Sequence, residues 1–315
     1  MNKYHLTSLI LLFLLLLPGG LLAGIAPAAA DSPVPAGFTP LFTAPGITVY
    51  QELENDPNAE VFVQVVDLAA GADVKLLHGP IVVPGRGEGV YGGNNPRFDR
   101  QYLPAVWEAF TAENGEALCL VNGTFFKDME NGFRVNPTTL SFPLKQEGVV
   151  ISEGHDRYRF YRHRRMLLLW SGRAEILPLD RRELYESTAP DILVGLSPRA
   201  GVREWESLGR TFLGVADGDG DGTNEQLLIY SGEAATQAEA TATLQAFGAS
   251  EMLMLDGGGS SQLFCEGRDV IQRSRPLPQT IISVPAREQP VPPEAWPHIF
   301  CSAPVTHSSA RFTCR

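Results

Sequence analysis

One short stretch combines groups suited to polar chemistry. Asp256-Gly257-Gly258-Gly259-Ser260-Ser261 places one carboxylate, three glycines and two hydroxyls directly behind an apolar run. Glu251 to Leu255 is too short for a helix and apolar enough for a buried strand, so Asp256 is expected at a strand's end. Consecutive glycines remove side chains that would keep a ligand from backbone N–H groups, and they permit left-handed backbone. The same residues also suit a tight turn in which Asp256 caps local amides. The segment lacks the Gly-Lys-Ser/Thr of a phosphate loop. Gln262 stands where a nucleophile elbow needs glycine.

Two further segments offer polar groups at strand ends. Asn122-Gly123-Thr124-Phe125-Phe126 follows the strand-like run from Glu116 to Val121. Asn122 carries both a donor and an acceptor, as a sugar hydroxyl or phosphate oxygen requires, and Phe125 or Phe126 supplies an apolar face for a ring. Asn-Gly is equally a hairpin signal. In Leu208-Gly209-Arg210-Thr211, a lone arginine opens an apolar strand. A guanidinium matches a phosphate with two parallel charge-assisted hydrogen bonds, whereas an ordinary strand end needs no such match.

A different chemistry is written into Asp217-Gly218-Asp219-Gly220-Asp221-Gly222-Thr223-Asn224-Glu225. Acids at alternate positions before a glycine reproduce the first half of a calcium loop. Position twelve is Leu228, so this is no EF-hand; Glu225 at position nine is expected to complete a short structural Ca²⁺ loop with Asp217, Asp219 and Asp221. The bland alternative is an acidic hairpin. His78, His155, His163, His298 and His307 show no metal-ligand spacing.

The elements that must position these groups are mostly strands. Strand-like runs occur at 61–66, 74–77, 116–121, 158–162, 166–170, 192–196, 212–216, 227–230, 252–255 and 280–284. Pro104 and Gly115 bracket one helix. A second is expected from Thr236 to Phe247, opened by a Thr236…Glu239 capping box and closed by Gly248, and it feeds directly into the Asp256 strand. The fold class expected is α+β: a strand-rich mixed sheet core with a few packed helices in a single domain.

Residues 1–30 combine Lys3, an apolar block from Leu6 to Leu22 and Ala28-Ala29-Ala30, which reads as a secretory signal peptide. Residues 31–59 form an N-terminal linker and first strand region, with Asp31 to about Pro45 read as linker. The catalytic-sized unit spans 60–285, and a Pro-rich tail follows at 286–315. The mature chain is expected outside the cytoplasm with no stable membrane anchor. Losing Lys3 leaves 24 Lys and Arg against 36 Asp and Glu, an acidic balance that argues against a nucleic-acid partner. Export permits disulfides among Cys119, Cys265, Cys301 and Cys314, with three pairings open; Cys301 with Cys314 would leave Cys119 to Cys265. The segment from His155 to Arg165 carries Arg157, Arg159, Arg162, Arg164 and Arg165, either a solvated strand face or a contact for an anionic glycan.

Taken in order, Asn122-Gly123-Thr124-Phe125-Phe126, Arg210-Thr211-Phe212-Leu213-Gly214, Phe247-Gly248-Ala249 and Leu255 to Ser261 resemble the phosphodiester glycosidase family. The resemblance covers roughly residues 60 to 285. It implies a hydrolase that cleaves a sugar-1-phosphate diester in a glycan or cell-envelope substrate, with Asn122, Arg210 and Asp256 as catalytic residues. Substrate-binding groups implied are Gly123, Thr124, Phe126, Gly257, Gly258, Gly259, Ser260 and Ser261. In that reading Asp256 stabilises a cationic sugar or activates water and Arg210 holds the phosphate charge. No cofactor is expected for the chemistry, and calcium is expected to be structural. The alternative is a non-catalytic, calcium-stabilised module that binds phosphorylated or acidic glycans.

Overall fold

The computed structural model describes residues 34–53, 59–156 and 160–287. The signal segment 1–30, Arg157, Arg159, His298, His307 and the Cys301 and Cys314 pair lie outside the described residues. Within them the chain is strand-rich, with three α-helices and antiparallel strand pairs in its two main sheets.

The larger sheet has 11 strands, and its central order is Val61–Asp67, Gln226–Ala235, Leu208–Ala216, Glu251–Met254 and Asp191–Leu196. The smaller has five: Arg268–Ile271, Leu263–Cys265, Cys119–Asn122, Gln279–Val284 and Asp73–His78. Successive strand residues point to opposite faces. Leu213, Val215, Leu227 and Ile229 therefore share one core with Val121, Leu263 and Ile281 of the smaller sheet. Phe212, Leu228 and Tyr230 face the other way, onto Leu184, Ala240 and Leu244 of two helices. Because both faces of the central strands are covered, they read as continuous apolar runs rather than alternating ones.

The Gln237–Ala246 helix begins as expected, with the Thr236 hydroxyl accepting from the Glu239 amide and the Glu239 carboxylate accepting from the Thr236 amide. It ends where Gly248 adopts a φ of +92° that other residues rarely hold. The chain then enters Glu251–Met254, paired on both sides by Leu208–Ala216 and Asp191–Leu196. Beyond Met254 it crosses to the smaller sheet. The Asp256 loop is that crossover.

Cys119 and Cys265 sit opposite one another in neighbouring strands and form a disulfide. Three local expectations are corrected. Phe38–Ala44 lies within the stretch read as linker, yet it forms a strand paired with Ile47–Glu52. Its Phe38 packs edge-on against Phe247 at 5.0 Å, a tertiary contact that overrides the Pro- and Ala-rich composition. Tyr161–His163 is a 3-10 turn rather than the end of a strand, since Phe160 at φ +56° breaks the extended path. Asn122-Gly123 does not turn a hairpin, because Cys119–Asn122 pairs with the distant Leu263–Cys265 and Gln279–Val284.

Candidate active site

Asp256, Asn122 and Arg210 come together at one end of the two sheets. Asn122 is fully buried, and both ends of its amide are engaged. Its Nδ2 donates to the Asp256 carbonyl at 2.7 Å. Its Oδ1 accepts from the Thr211 hydroxyl at 2.6 Å and from the Gln262 amide at 3.3 Å. These bonds form a clamp that ties the end of one sheet to the crossover loop.

Arg210 is likewise drawn inward, with 3 % of its surface exposed. Its Nε donates to the Ala235 carbonyl at 3.0 Å, and its Nη2 donates to the Arg203 and Glu206 carbonyls at 2.6 and 3.0 Å. Its Nη1 reaches the Val202 carbonyl and the Met254 sulfur. Of the five donors of a guanidinium, those on Nε and Nη2 go to backbone carbonyls, while the Nη1 contacts are longer, at 3.4 and 3.9 Å. These contacts staple Arg210 to the 202–206 loop, and its side chain also lines the cavity at Asp256.

The glycines do two separate jobs. Gly258 takes a left-handed φ of +62°, and a Cβ on Gly257 would come within 2.8 Å of the Gly209 carbonyl. The loop is therefore folded tightly against the strand that carries Arg210. Gly259 alone is exposed. Gly123 accepts from the Asp256 amide at 3.2 Å, and Thr124 is buried, with its amide donating to Gln279 Oε1 at 2.8 Å. Ser260 and Ser261 are buried too, and Ser261 Oγ accepts from the Thr211 hydroxyl at 3.3 Å.

Asp256 keeps an opening. It is half-buried and lines a cavity of about 120 Å³ together with Phe125, Val202, Arg203, Arg210 and Gly258. Phe125, rather than Phe126, supplies the aromatic wall. Burial pushes the Asp256 carboxyl up to about 6, while the nearby Ser260 hydroxyl, the Arg275 charge and the Gly257 amide pull it back.

Arg275 belongs to a group that no local pattern reveals. Its Nη2 pairs with Asp128 at 2.6 Å, and Arg100 holds the other Asp128 oxygen at 2.8 Å. Both guanidiniums lie over the Phe126 ring, at 4.6 Å for Arg100 and 5.0 Å for Arg275. Burial raises the Asp128 carboxyl, but the Arg100 hydrogen bond and the Arg275 charge outweigh it and hold Asp128 below the usual carboxylate range. The Arg275 charge favours the ionised Asp256 carboxyl, and the Asp128 charge opposes it. Positions 100, 128 and 275 are far apart in sequence and carry no shared motif, so only folding brings them together.

The acidic loop forms the tip between Leu208–Ala216 and Gln226–Ala235. One carboxylate oxygen from each of Asp217, Asp219, Asp221 and Glu225 lies within 4.8 Å of the others. Backbone amides of Gly220 and Gly222 donate to Asp217 at 2.6 and 2.8 Å. Arg210 opens the same strand that Asp217 follows, so the loop lies about 20 Å from the Asp256 site at strand rise.

A phosphodiester glycosidase family model matches residues 115–292, more than half of the chain. The chain belongs to the phosphodiester glycosidase family. The match includes Asn122, Arg210, Asp256 and Arg275 and leaves Arg100 outside. No curated protein matches. Among solved structures, the catalytic domain of zebrafish N-acetylglucosamine-1-phosphodiester alpha-N-acetylglucosaminidase, auto-inhibited by its pro-peptide, is similar at a TM-score of 0.50 with 13% identity. That likeness covers 82% of this chain and 87% of the zebrafish domain. A hypothetical protein from Synechocystis is similar at 0.44 and 13% identity over 76% of this chain, which spans 62% of that protein's length. At such identity the zebrafish likeness is one of fold. Among the described residues, no helix is long and apolar enough to cross a membrane.

Proposed function

We propose that this phosphodiester glycosidase is an exported hydrolase that breaks the bond between an anomeric carbon and the oxygen of a phosphodiester. The observation that carries this reading is Asp256: a crowded carboxyl opening into a cavity, with its proton affinity raised to about 6 and a positive group at its side. A base is most effective when its pKa lies near the working pH. At neutral pH Asp256 is ionised and accepts the proton of an attacking water as the water oxygen bonds to the anomeric carbon.

The anomeric C–O bond breaks with its electron pair on the phosphate oxygen. The product is a free sugar and a phosphomonoester. Phosphate is a good leaving group, so little protonation is required. Arg275, rather than Arg210, is assigned to the developing phosphate charge, because the Nε and Nη2 donors of Arg210 are held by backbone carbonyls. Asn122 and Arg210 act as positioning residues for the loop and for the cavity wall. A Ca²⁺ ion held by Asp217, Asp219, Asp221 and Glu225 would be structural, given its distance from the carboxyl.

Phosphorus NMR on a sugar-1-phosphate methyl diester tests the reading. Conversion to methyl phosphate with release of reducing sugar is expected, and Asp256→Asn is expected to abolish it. Saturable binding of the diester without turnover would favour the non-catalytic glycan-binding module instead.

A further inference from the structure

The cavity at Asp256 is too small for a whole substrate. Its volume of about 120 Å³ lies below the roughly 300–1,000 Å³ of sites that enclose a small molecule. A glycan whose reacting end entered it would leave its remainder along the adjoining surface. A second hollow, about 540 Å³, adjoins it across a thin wall. Met254 lines the cavity and Met252 the cleft; two residues apart on one strand, both point to the same face of the sheet. Gln237 lines the cleft and donates to Val202 O at 2.8 Å, and Val202 lines the cavity.

The wall is the 202–206 loop, and its backbone is unusually well held. The carbonyls of Val202, Arg203, Glu204 and Glu206 accept from Arg210, Gln237 or the Glu206 amide. Arg203 sits at a φ of +50°, a conformation that persists in a non-glycine residue only where surroundings enforce it. The single large apolar side chain of this loop takes no part in holding it. Trp205 is 84 % exposed and lines the cleft. The same cleft is lined by Arg165, Arg199, Thr241 and Gln245, which offer donors and acceptors, and Gln237 has a buried Oε1 with no partner.

We propose that Trp205 is a stacking platform for a sugar ring, and that this cleft binds the glycan chain of the substrate whose reacting end enters the Asp256 cavity. An indole presents a flat apolar face that matches the C–H face of a pyranose, while hydroxyls at the ring edge find the surrounding polar side chains. Pinning the loop in advance lowers the ordering cost of binding. The arrangement selects an extended glycan over an isolated sugar phosphate. The inference rests on the proposed hydrolase reading for the chemistry, but the binding itself can be measured without turnover.

Two measurements test it. Tryptophan emission of the full chain is titrated with neutral tetraoses built on glucose, mannose and N-acetylglucosamine. At least one is expected to give a saturable change, and calorimetry is expected to show that its binding is lost in Trp205→Ala; no saturable change with any of them, or unchanged binding heat in Trp205→Ala, would overturn the proposal. In the second, kcat/KM is compared for a sugar-1-phosphate methyl diester and for one whose sugar carries a tetraose. Trp205→Ala is expected to lower the long-to-short ratio about tenfold, the loss of one aromatic contact. An unchanged ratio in a variant with the wild-type melting temperature would discard the cleft and leave the hydrolase standing. Trp205-dependent tetraose binding in a wild-type protein that turns over neither diester would discard the hydrolase and leave the cleft.

Discussion

Asn122 donates its side-chain amide to the main-chain carbonyl of Asp256 at 2.7 Å, joining the last residue of a strand in one sheet to the loop that leaves the other. The orientation of the Asp256 carboxyl thus depends on a buried group that never meets solvent. Asn122→Ala leaves the Asp256 carbonyl and the Thr211 hydroxyl short of partners, at about 1–3 kcal/mol for each buried group. We expect a lower melting temperature together with a kcat reduced at least tenfold. Full activity in Asn122→Ala would show that the clamp does not orient the carboxyl.

The raised affinity of Asp256 for its proton makes activity and stability oppose one another. Its folded pKa of about 6 exceeds the ordinary carboxylate value, so the folded state binds this proton more tightly than the unfolded state does. The associated stability is complete below the unfolded pKa and is lost as pH rises through about 6. Asp256→Asn removes the cost of an ionised buried group and should stabilise the protein by about 2 kcal/mol at pH ~7.5, with the gain fading near pH ~4. The same pKa predicts that kcat/KM of the wild type rises with pH through an acid limb near 6. Thermal melts of both proteins at the two pH values check the first part; a gain independent of pH would remove Asp256 as its source.

Arg210 and Arg275 should part company on mutation. Arg275→Met removes a charge beside the carboxyl while Arg100 continues to hold Asp128, so kcat/KM should fall about 100-fold, the usual cost of losing one charge-stabilising contact. Arg210→Met instead strands several buried carbonyls and should destabilise the fold by about 3 kcal/mol. Kinetics alongside urea unfolding decides between them. A stable Arg210→Met protein with lost phosphate affinity would restore the direct role that the hydrogen bonding argues against.

Calcium should act on stability and leave the chemistry alone. Millimolar Ca²⁺ should raise the melting temperature and a chelator lower it, with the shift abolished in Asp219→Asn. The methyl-diester kcat/KM should not change in that variant. An unchanged melting curve after verified metal removal would mark the loop as a plain acidic hairpin.

Local patterns carried much of this fold. The capping box at Thr236 and the apolar runs now seen as Leu208–Ala216 and Gln226–Ala235 express short-range rules, and each forms where its residues direct. Phe38–Ala44 was less legible, because its strand pairing and its contact with Phe247 come from elsewhere in the chain. The sequence alone determined that Asp256 would end a strand on a glycine loop and that Asn122 and Arg210 would accompany it. It did not assign the direction of their side chains. Tertiary structure decided that Asn122 and Arg210 spend their hydrogen bonds inward, since buried donors and acceptors must be paired. It also paired Arg275 with Asp128 and set Trp205 in the neighbouring cleft. Spatial convergence of residues far apart in sequence leaves no local signature, and the electrostatic shift on Asp256 exists only once burial has removed its water.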